Sequence, residues 1–182
     1  MRAKSISLLL APLLALLLAS SARAQPIEVL SLLGGGDVVP DKVLTGAFGV
    51  AILTVNEQTS EIAFDVDVFN LASGVSGAHI HVGAPGVGGP VLFDFRPAQR
   101  QAGDLNMSGT LSAASLTTHA DLGIRDIGDA LQSIIGLTTY IDVHTDAKPE
   151  GEIRGALVIS FSDSLAAEVQ RTLLGRGGRL PR

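Results

Sequence analysis

The chain has 182 residues and a net charge of −5 at pH 7, and it contains no cysteine and no tryptophan. The absence of cysteine excludes disulfides, thiolate metal sites, thiol catalysis and a lipid-modified cysteine. The acidic charge argues against nucleic acid as a partner, and an aromatic content of 4% argues against a sugar-binding or base-stacking surface.

The N-terminal segment, residues 1–24, has the pattern of a secretory signal peptide. Arg2 and Lys4 precede an apolar run over residues 6–19, and Ala22-Arg23-Ala24 fits a small-x-small cleavage site. The apolar run is short for a membrane span, which favours cleavage after Ala24 over an uncleaved anchor. We therefore expect an exported protein, periplasmic or secreted, without a membrane span after signal removal. The segment holds three of the 13 basic residues and none of the 18 acidic ones, so the mature chain carries a net charge of −8.

The first half of the mature chain is patterned as β-strands separated by turns. Predicted strands cover residues 27–33, 43–55, 61–71, 76–82 and 91–95. In the fourth of these strands, alternation turns Ile80 to one face and His79 and His81 to the other. The sequence GAPGVGGP, residues 83–90, predicts a flexible loop beside the two histidines.

The second half adds weaker signals. Residues 107–113 predict a weak strand, and apolar residues at helical spacing predict a short helix over residues 126–136. Residues 137–145 predict a strand that carries Tyr140, Asp142 and His144 on one face. Together these elements predict an all-β fold, an antiparallel Greek-key sandwich or flattened barrel with one short helix.

The last predicted strand, residues 152–162, alternates clearly. Its polar face is expected to turn Glu152 and Arg154 outward. Its apolar face is expected to turn inward the side chains of Ile153, Leu157, Ile159 and Phe161. We expect the β-domain to cover residues 25–162. Residues 163–174 predict a short amphipathic helix, and the basic, glycine-rich end of the chain predicts a disordered tail up to residue 182.

Three histidines form the candidate metal site. His79 and His81, two residues apart on one strand, can both reach a single ion, and His144 lies on the polar face of a second strand. Imidazole nitrogens suit copper and zinc, and the fourth ligand is open between His119, Asp142 and water. The alternative is that these histidines are polar residues on a solvated strand face.

Two charged residues lie on the last predicted strand, residues 152–162. Glu152 and Arg154 are two residues apart, which is typical of a local ion pair on a sheet surface. Arg154 could instead pair with a loop carboxylate and fix the loops around the site, and this structural role is the favoured one. In a metal enzyme, the same arginine could steer a small anion.

The sequence resembles the CHRD domain, named after chordin, over residues 28–161. The segments that carry the resemblance are AHIHVGAPGVGGPV, residues 78–91, and YIDVHTDAKPEGEIRGAL, residues 140–157. The resemblance implies an exported single-domain binding or interaction module with an unidentified extracytoplasmic protein partner. It assigns no reaction, so whether the protein is an enzyme stays open.

A fainter resemblance connects GAHIHVG and VHTDAKPEGEIRGALVIS with the copper-site strands of copper-zinc superoxide dismutase. It implies that His79, His81 and His144 are copper ligands and that Arg154 is the catalytic anion-guiding residue. The zinc ligands of that enzyme have no counterpart, since only His119 is left over, and its disulfide requires cysteine. The alternatives to an interaction module are therefore a copper-binding protein and, less favoured, a copper-only superoxide dismutase.

Overall fold

A computed structural model describes residues 25–95 and 100–159 of the chain. The described residues form eight antiparallel strands, one α-helix and three short 3-10 turns. The strands and the helix are β1 (Ile27–Gly34), β2 (Phe48–Asn56), β3 (Glu61–Leu71), β4 (Val75–Val82), β5 (Val91–Asp94), β6 (Gly103–Leu111), α1 (Ile127–Ile135), β7 (Thr139–Thr145) and β8 (Lys148–Ile159). The predicted signal peptide, the predicted helix over residues 163–174 and the basic tail lie outside the described residues.

All eight strands join one sheet in the order β5-β4-β7-β8-β1-β2-β3-β6, which curls into a nearly closed barrel. The chain that follows β6 returns to the opposite edge of the sheet. There, Leu116 forms a bridge with Phe93, and the backbone N–H of Thr117 donates to the Leu92 carbonyl at 2.9 Å. This architecture confirms the predicted all-β antiparallel class with one short α-helix within the described ranges.

The core fills the inside of the barrel and follows from the period-two pattern of the strands. Strand β3 shows the pattern most clearly, with Ile62, Phe64, Val66 and Val68 buried and the residues between them exposed. Helix α1 adds Ala130, Leu131 and Ile134 to this core. It begins at Asp126, whose carboxylate accepts the backbone N–H of Asp129 at 3.0 Å. In the part of the chain described, no helix combines the length and apolarity that a membrane crossing needs.

The predicted strand over residues 43–55 is too long at its N-terminal end. Strand β2 begins only at Phe48, and residues 43–47 form a separate loop. The hydroxyl of Thr45 donates to the Glu152 carboxylate at 2.7 Å, and the N–H of Val43 donates to the Gly35 carbonyl at 2.9 Å. These contacts hold the loop away from the sheet, and the Ala47 N–H is bonded to the Thr45 hydroxyl and not to a neighbouring strand.

Three other details differ from the predicted pattern. The weak strand over residues 107–113 is part of a longer strand, β6, which pairs with β3 along an edge where exposed polar side chains conceal the pattern. Ile159 is predicted to be inward but is 45% exposed, because alternation ends with the strand, where Val158 beside it is also exposed. Phe161 lies outside the described residues. Glu152 was predicted to be outward but is fully buried.

Candidate metal centre

Adjacent strands β4 and β7 bring the predicted site residues together. In the antiparallel register His79 pairs with Asp142, Gly77 with His144, and His81 with Tyr140. Ile80 and Ile141, which also pair, are fully buried in the core. Because side chains alternate along a strand, the three histidines and Asp142 all project from the opposite face of the sheet, on the outside of the barrel.

The Asp142 carboxylate lies in the middle of three imidazole rings. Its Oδ1 atom is 3.0 Å from His81 Nε2, 3.1 Å from His144 Nε2 and 3.5 Å from His79 Nδ1. One nitrogen or oxygen from each of the four residues lies within 4.8 Å of all the others. In a tetrahedral site with metal–nitrogen bonds of about 2.0–2.1 Å, neighbouring ligand atoms are about 3.3 Å apart, which is close to these oxygen–nitrogen distances.

Backbone carbonyls fix the orientation of two of the rings. His81 Nδ1 is 2.8 Å from the Gly89 carbonyl, and His144 Nδ1 is 2.9 Å from the Pro149 carbonyl. A carbonyl oxygen can only accept, so each Nδ1 carries a proton and donates it. In the neutral ring of His81, Nε2 is then left with a free lone pair that points at the cluster, whereas His144 Nε2 forms a hydrogen bond with Asp142 Oδ1 at 3.1 Å. Outer contacts of this kind are typical of metal-binding histidines.

Two ring nitrogens in the cluster have no hydrogen-bond partner. His79 Nδ1 and His81 Nε2 are both buried, and although each lies near the Asp142 carboxylate, neither forms a hydrogen bond of acceptable geometry. A buried polar atom without a partner costs about 1–3 kcal/mol. A cation placed between these nitrogens and the carboxylate would satisfy all of them at once.

The position of the His79 ring depends on a neighbouring glycine. A Cβ atom added to Gly77 would lie 2.7 Å from His79 Cε1 and 3.0 Å from His79 Nε2. The ring therefore lies over the bare backbone of Gly77, which no residue with a side chain would allow without a shift. The glycine before the histidine pair is thus part of the site.

The surroundings of Asp142 and His144 shift the pKa of both groups. Burial opposes ionisation of Asp142, but the hydrogen bond from His144 and the nearby rings of His79 and His81 outweigh it, holding the pKa of Asp142 well below its usual range. The hydrogen bond to Asp142 in turn raises the pKa of His144 despite the burial of the ring. The metal-free cluster therefore contains an ionised carboxylate.

Arg154 lies beside the cluster and contacts the loop over residues 83–90. Its side chain is nearly buried, its Nη2 donates to the Val87 carbonyl at 2.6 Å, and its Cζ lies 3.4 Å from the centre of the Tyr140 ring. The expected contact with the loop is present, but its acceptor is a carbonyl and not a carboxylate. Arg154 also lines a cavity of about 170 Å³ together with His81, Tyr140, Asp142 and His144.

The predicted ion pair between Glu152 and Arg154 is wrong. Among the described residues, Arg154 forms no ion pair, and the Glu152 carboxylate accepts hydrogen bonds from Thr45, Ala72 and Thr145. The two side chains are separated because the chain turns Glu152 into the protein, next to the loop over residues 43–47. Their spacing of two residues predicts that Glu152 and Arg154 lie on the same face of the strand, but it does not predict how deeply each side chain is buried.

His119 does not join the cluster. Its Nε2 is 2.8 Å from the Val91 carbonyl, and its backbone pairs with Ile124. Of the fourth ligands left open by the sequence, Asp142 is the one that lies among the three rings, whereas Tyr140 and Gly77 were not recognised as part of the site. The only indication of a role for Tyr140 and Gly77 was that they lie close to the histidines in the sequence. No sequence motif marks a residue that stacks on a histidine or leaves space for its ring.

A sequence model of the CHRD domain matches residues 29–157, and these residues contain the whole cluster. The chain belongs to the CHRD domain family. No curated protein and no solved structure matches this CHRD protein. CHRD domains are typically extracellular or periplasmic. Membership establishes a CHRD-domain module whose biochemical role is not fixed by the family.

Proposed function

We propose that this CHRD protein is an exported copper-binding protein in which His79, His81, His144 and Asp142 hold the metal. The observation that carries the proposal is the pair of buried ring nitrogens, His79 Nδ1 and His81 Nε2, that lack hydrogen-bond partners and face a carboxylate. Such an arrangement is costly in a protein without a ligand, and a bound cation removes the cost.

The type of donor supports copper. Three imidazole nitrogens and one carboxylate oxygen form a site of intermediate softness, and for such sites Cu²⁺ binds more tightly than the other divalent first-row metals. Two of the three rings are already oriented by backbone carbonyls, so little ordering is needed when the metal binds. The net negative charge of the chain also attracts cations.

The test is a copper titration of the purified, chelator-treated protein. Tyr140 is the sole tyrosine, the chain has no tryptophan, and the Tyr140 ring is stacked on His81 with centroids 5.0 Å apart. We expect its emission to fall and to saturate at one equivalent of Cu²⁺. A parallel titration with Zn²⁺ in competition with Cu²⁺ measures selectivity.

Single substitutions decide which residues bind. His79→Ala, His81→Ala and His144→Ala should each abolish saturable binding or weaken it at least tenfold. His119→Ala is the matched control, because it removes an imidazole that is not among the four clustered residues and contacts the Val91 carbonyl. Absence of saturation at one equivalent, or unchanged binding in His79→Ala, leaves the interaction module as the function. That function predicts a protein partner that is captured even by metal-free protein.

A copper-only superoxide dismutase is the second candidate, because Arg154 and His81 line the same small cavity. It requires superoxide dismutation by the copper-loaded protein that is lost in His81→Ala and Arg154→Gln. The bond from Arg154 to the Val87 carbonyl supports a loop-holding role instead. We therefore expect copper binding without dismutase activity.

A further inference from the structure

The loop over residues 83–90 is joined to the candidate metal centre through one residue, Gly89. The Gly89 carbonyl accepts from His81 Nδ1 at 2.8 Å, and the Gly89 N–H donates to the Tyr140 hydroxyl at 3.0 Å. The carbonyl and the N–H of Gly89 thus connect His81 with Tyr140, its pairing partner on the adjacent strand.

The backbone at Gly89 lies close against strand β4. A Cβ atom at Gly89 would be 1.7 Å from the Val82 carbonyl oxygen, so this approach is open only to glycine. On the other side of the loop, Pro90 accepts the Val82 N–H at 3.0 Å. The position of the Gly89 carbonyl therefore depends on close backbone packing and on the hydrogen bond from Gly89 to Tyr140.

Tyr140 is itself held on both faces of its ring. The His81 ring is stacked on it with an interplanar angle of 9°, and the Arg154 guanidinium covers it at 3.4 Å from the ring centre. Its side chain is almost completely buried. The hydroxyl has little freedom to move away from Gly89.

We propose that Tyr140 is a positioning residue for the metal centre, acting through Gly89 to hold His81 in the Nδ1–H tautomer. In this tautomer the Nε2 lone pair of His81 faces Asp142 and the other two histidines. Without the tyrosine hydroxyl, the Gly89 peptide can turn, its carbonyl loses its alignment with Nδ1, and the proton can move to Nε2. That nitrogen is then blocked as a ligand. The effect on metal affinity rests on the proposed function, whereas the effect on the tautomer does not.

The variant Tyr140→Phe tests the proposal, because it keeps the ring and removes the hydroxyl. Long-range ¹H–¹⁵N spectra of the metal-free protein should give a pure Nδ1–H tautomer of His81 in the wild type and a mixture in the variant. Copper affinity, measured by chelator competition, should fall about 10- to 100-fold with a changed EPR hyperfine coupling. Ser133→Ala, which removes a different hydroxyl bond within helix α1, is the control for stability and should leave both readouts unchanged.

Hydrogen–deuterium exchange of the wild-type protein provides an independent test. The Gly89 amide should exchange with deuterium more slowly than the amide of Gly86, an exposed glycine in the same loop. Equal exchange rates, or a variant with the wild-type tautomer and wild-type copper affinity, overturn the proposal. A changed tautomer in a protein that never binds copper would support the role of Tyr140 and refute the proposed function alone.

Discussion

Two buried carboxylates of the β7–β8 hairpin, Asp142 and Glu152, have opposite surroundings. Glu152 is fully buried, and its oxygens accept from the hydroxyls of Thr45 and Thr145 at 2.7 and 2.8 Å and from the N–H of Ala72 at 3.1 and 3.2 Å. Asp142 is also buried, but its neighbours are three ring nitrogens, two of them on rings without a hydrogen bond to it.

The contrast separates a structural carboxylate from a candidate metal ligand. Both oxygens of Glu152 already accept hydrogen bonds from protein groups, so the carboxylate needs no cation to satisfy it. Its three partners belong to the loop over residues 43–47, the end of β3 and the end of β7, which it joins. The contacts of Asp142 come from nitrogens that can also bind metal, and these are incompletely satisfied. Burial alone would not distinguish the two residues.

The largest effect should come from Glu152→Ala. It leaves two hydroxyls and one backbone N–H without their acceptor, and we expect the free energy of unfolding to fall by about 3 kcal/mol or more. Chemical denaturation measures this change. Glu150→Gln, an exposed acid of the same strand, is the control and should change stability by less than about 0.5 kcal/mol. A loss of under about 1 kcal/mol in Glu152→Ala would contradict the structural role.

Asp142→Asn should reduce copper binding more than stability, whereas Glu152→Ala acts mainly on stability. The amide fits the same space and can donate to a ring nitrogen, but it loses the ionised state that the fold favours, so we expect a loss of stability smaller than that of Glu152→Ala. Copper affinity should fall roughly 100-fold, because the anionic ligand is lost. Competition titration provides the measurement. Asp146→Asn, an exposed acid paired with Arg100, should bind copper as the wild type does. Similar copper affinity in the two variants would remove Asp142 from the site.

Gly77→Ala should have the smallest of the three effects. The added methyl group collides with the His79 ring, which must rotate, so we expect copper affinity to fall roughly tenfold with a change of about 1 kcal/mol or less in stability. Gly36→Ala is a suitable control, since no atom lies within 4 Å of its added Cβ. If Gly77→Ala and Gly36→Ala bind copper equally, His79 does not depend on the gap beneath its ring.

Regular alternation made much of the fold predictable. Strand β3 matches its prediction over residues 61–71, because up to residue 68 each buried apolar residue alternates with an exposed polar or small one. The same reasoning failed over residues 43–47, where the contact of Thr45 with Glu152 decides the path. No local pattern could indicate that contact, since the two residues are far apart in the sequence.

The candidate site was predictable in its residues and less so in its arrangement. Alternation placed His79 and His81 on one face and His144 with Asp142 on another. It could not say that the strands are neighbours, because pairing between distant strands is a property of the whole sheet. The family resemblance suggested the pairing, and strands β4 and β7 have it. The orientation of the rings by Gly89 and Pro149 had no signal in the sequence.

The four clustered residues project from the outside of the barrel, while the side chains between them fill its interior. Evolution can therefore alter one set without disturbing the other. A CHRD domain that lost His79 or His144 would keep its core. A shared barrel therefore does not by itself imply a shared chemistry.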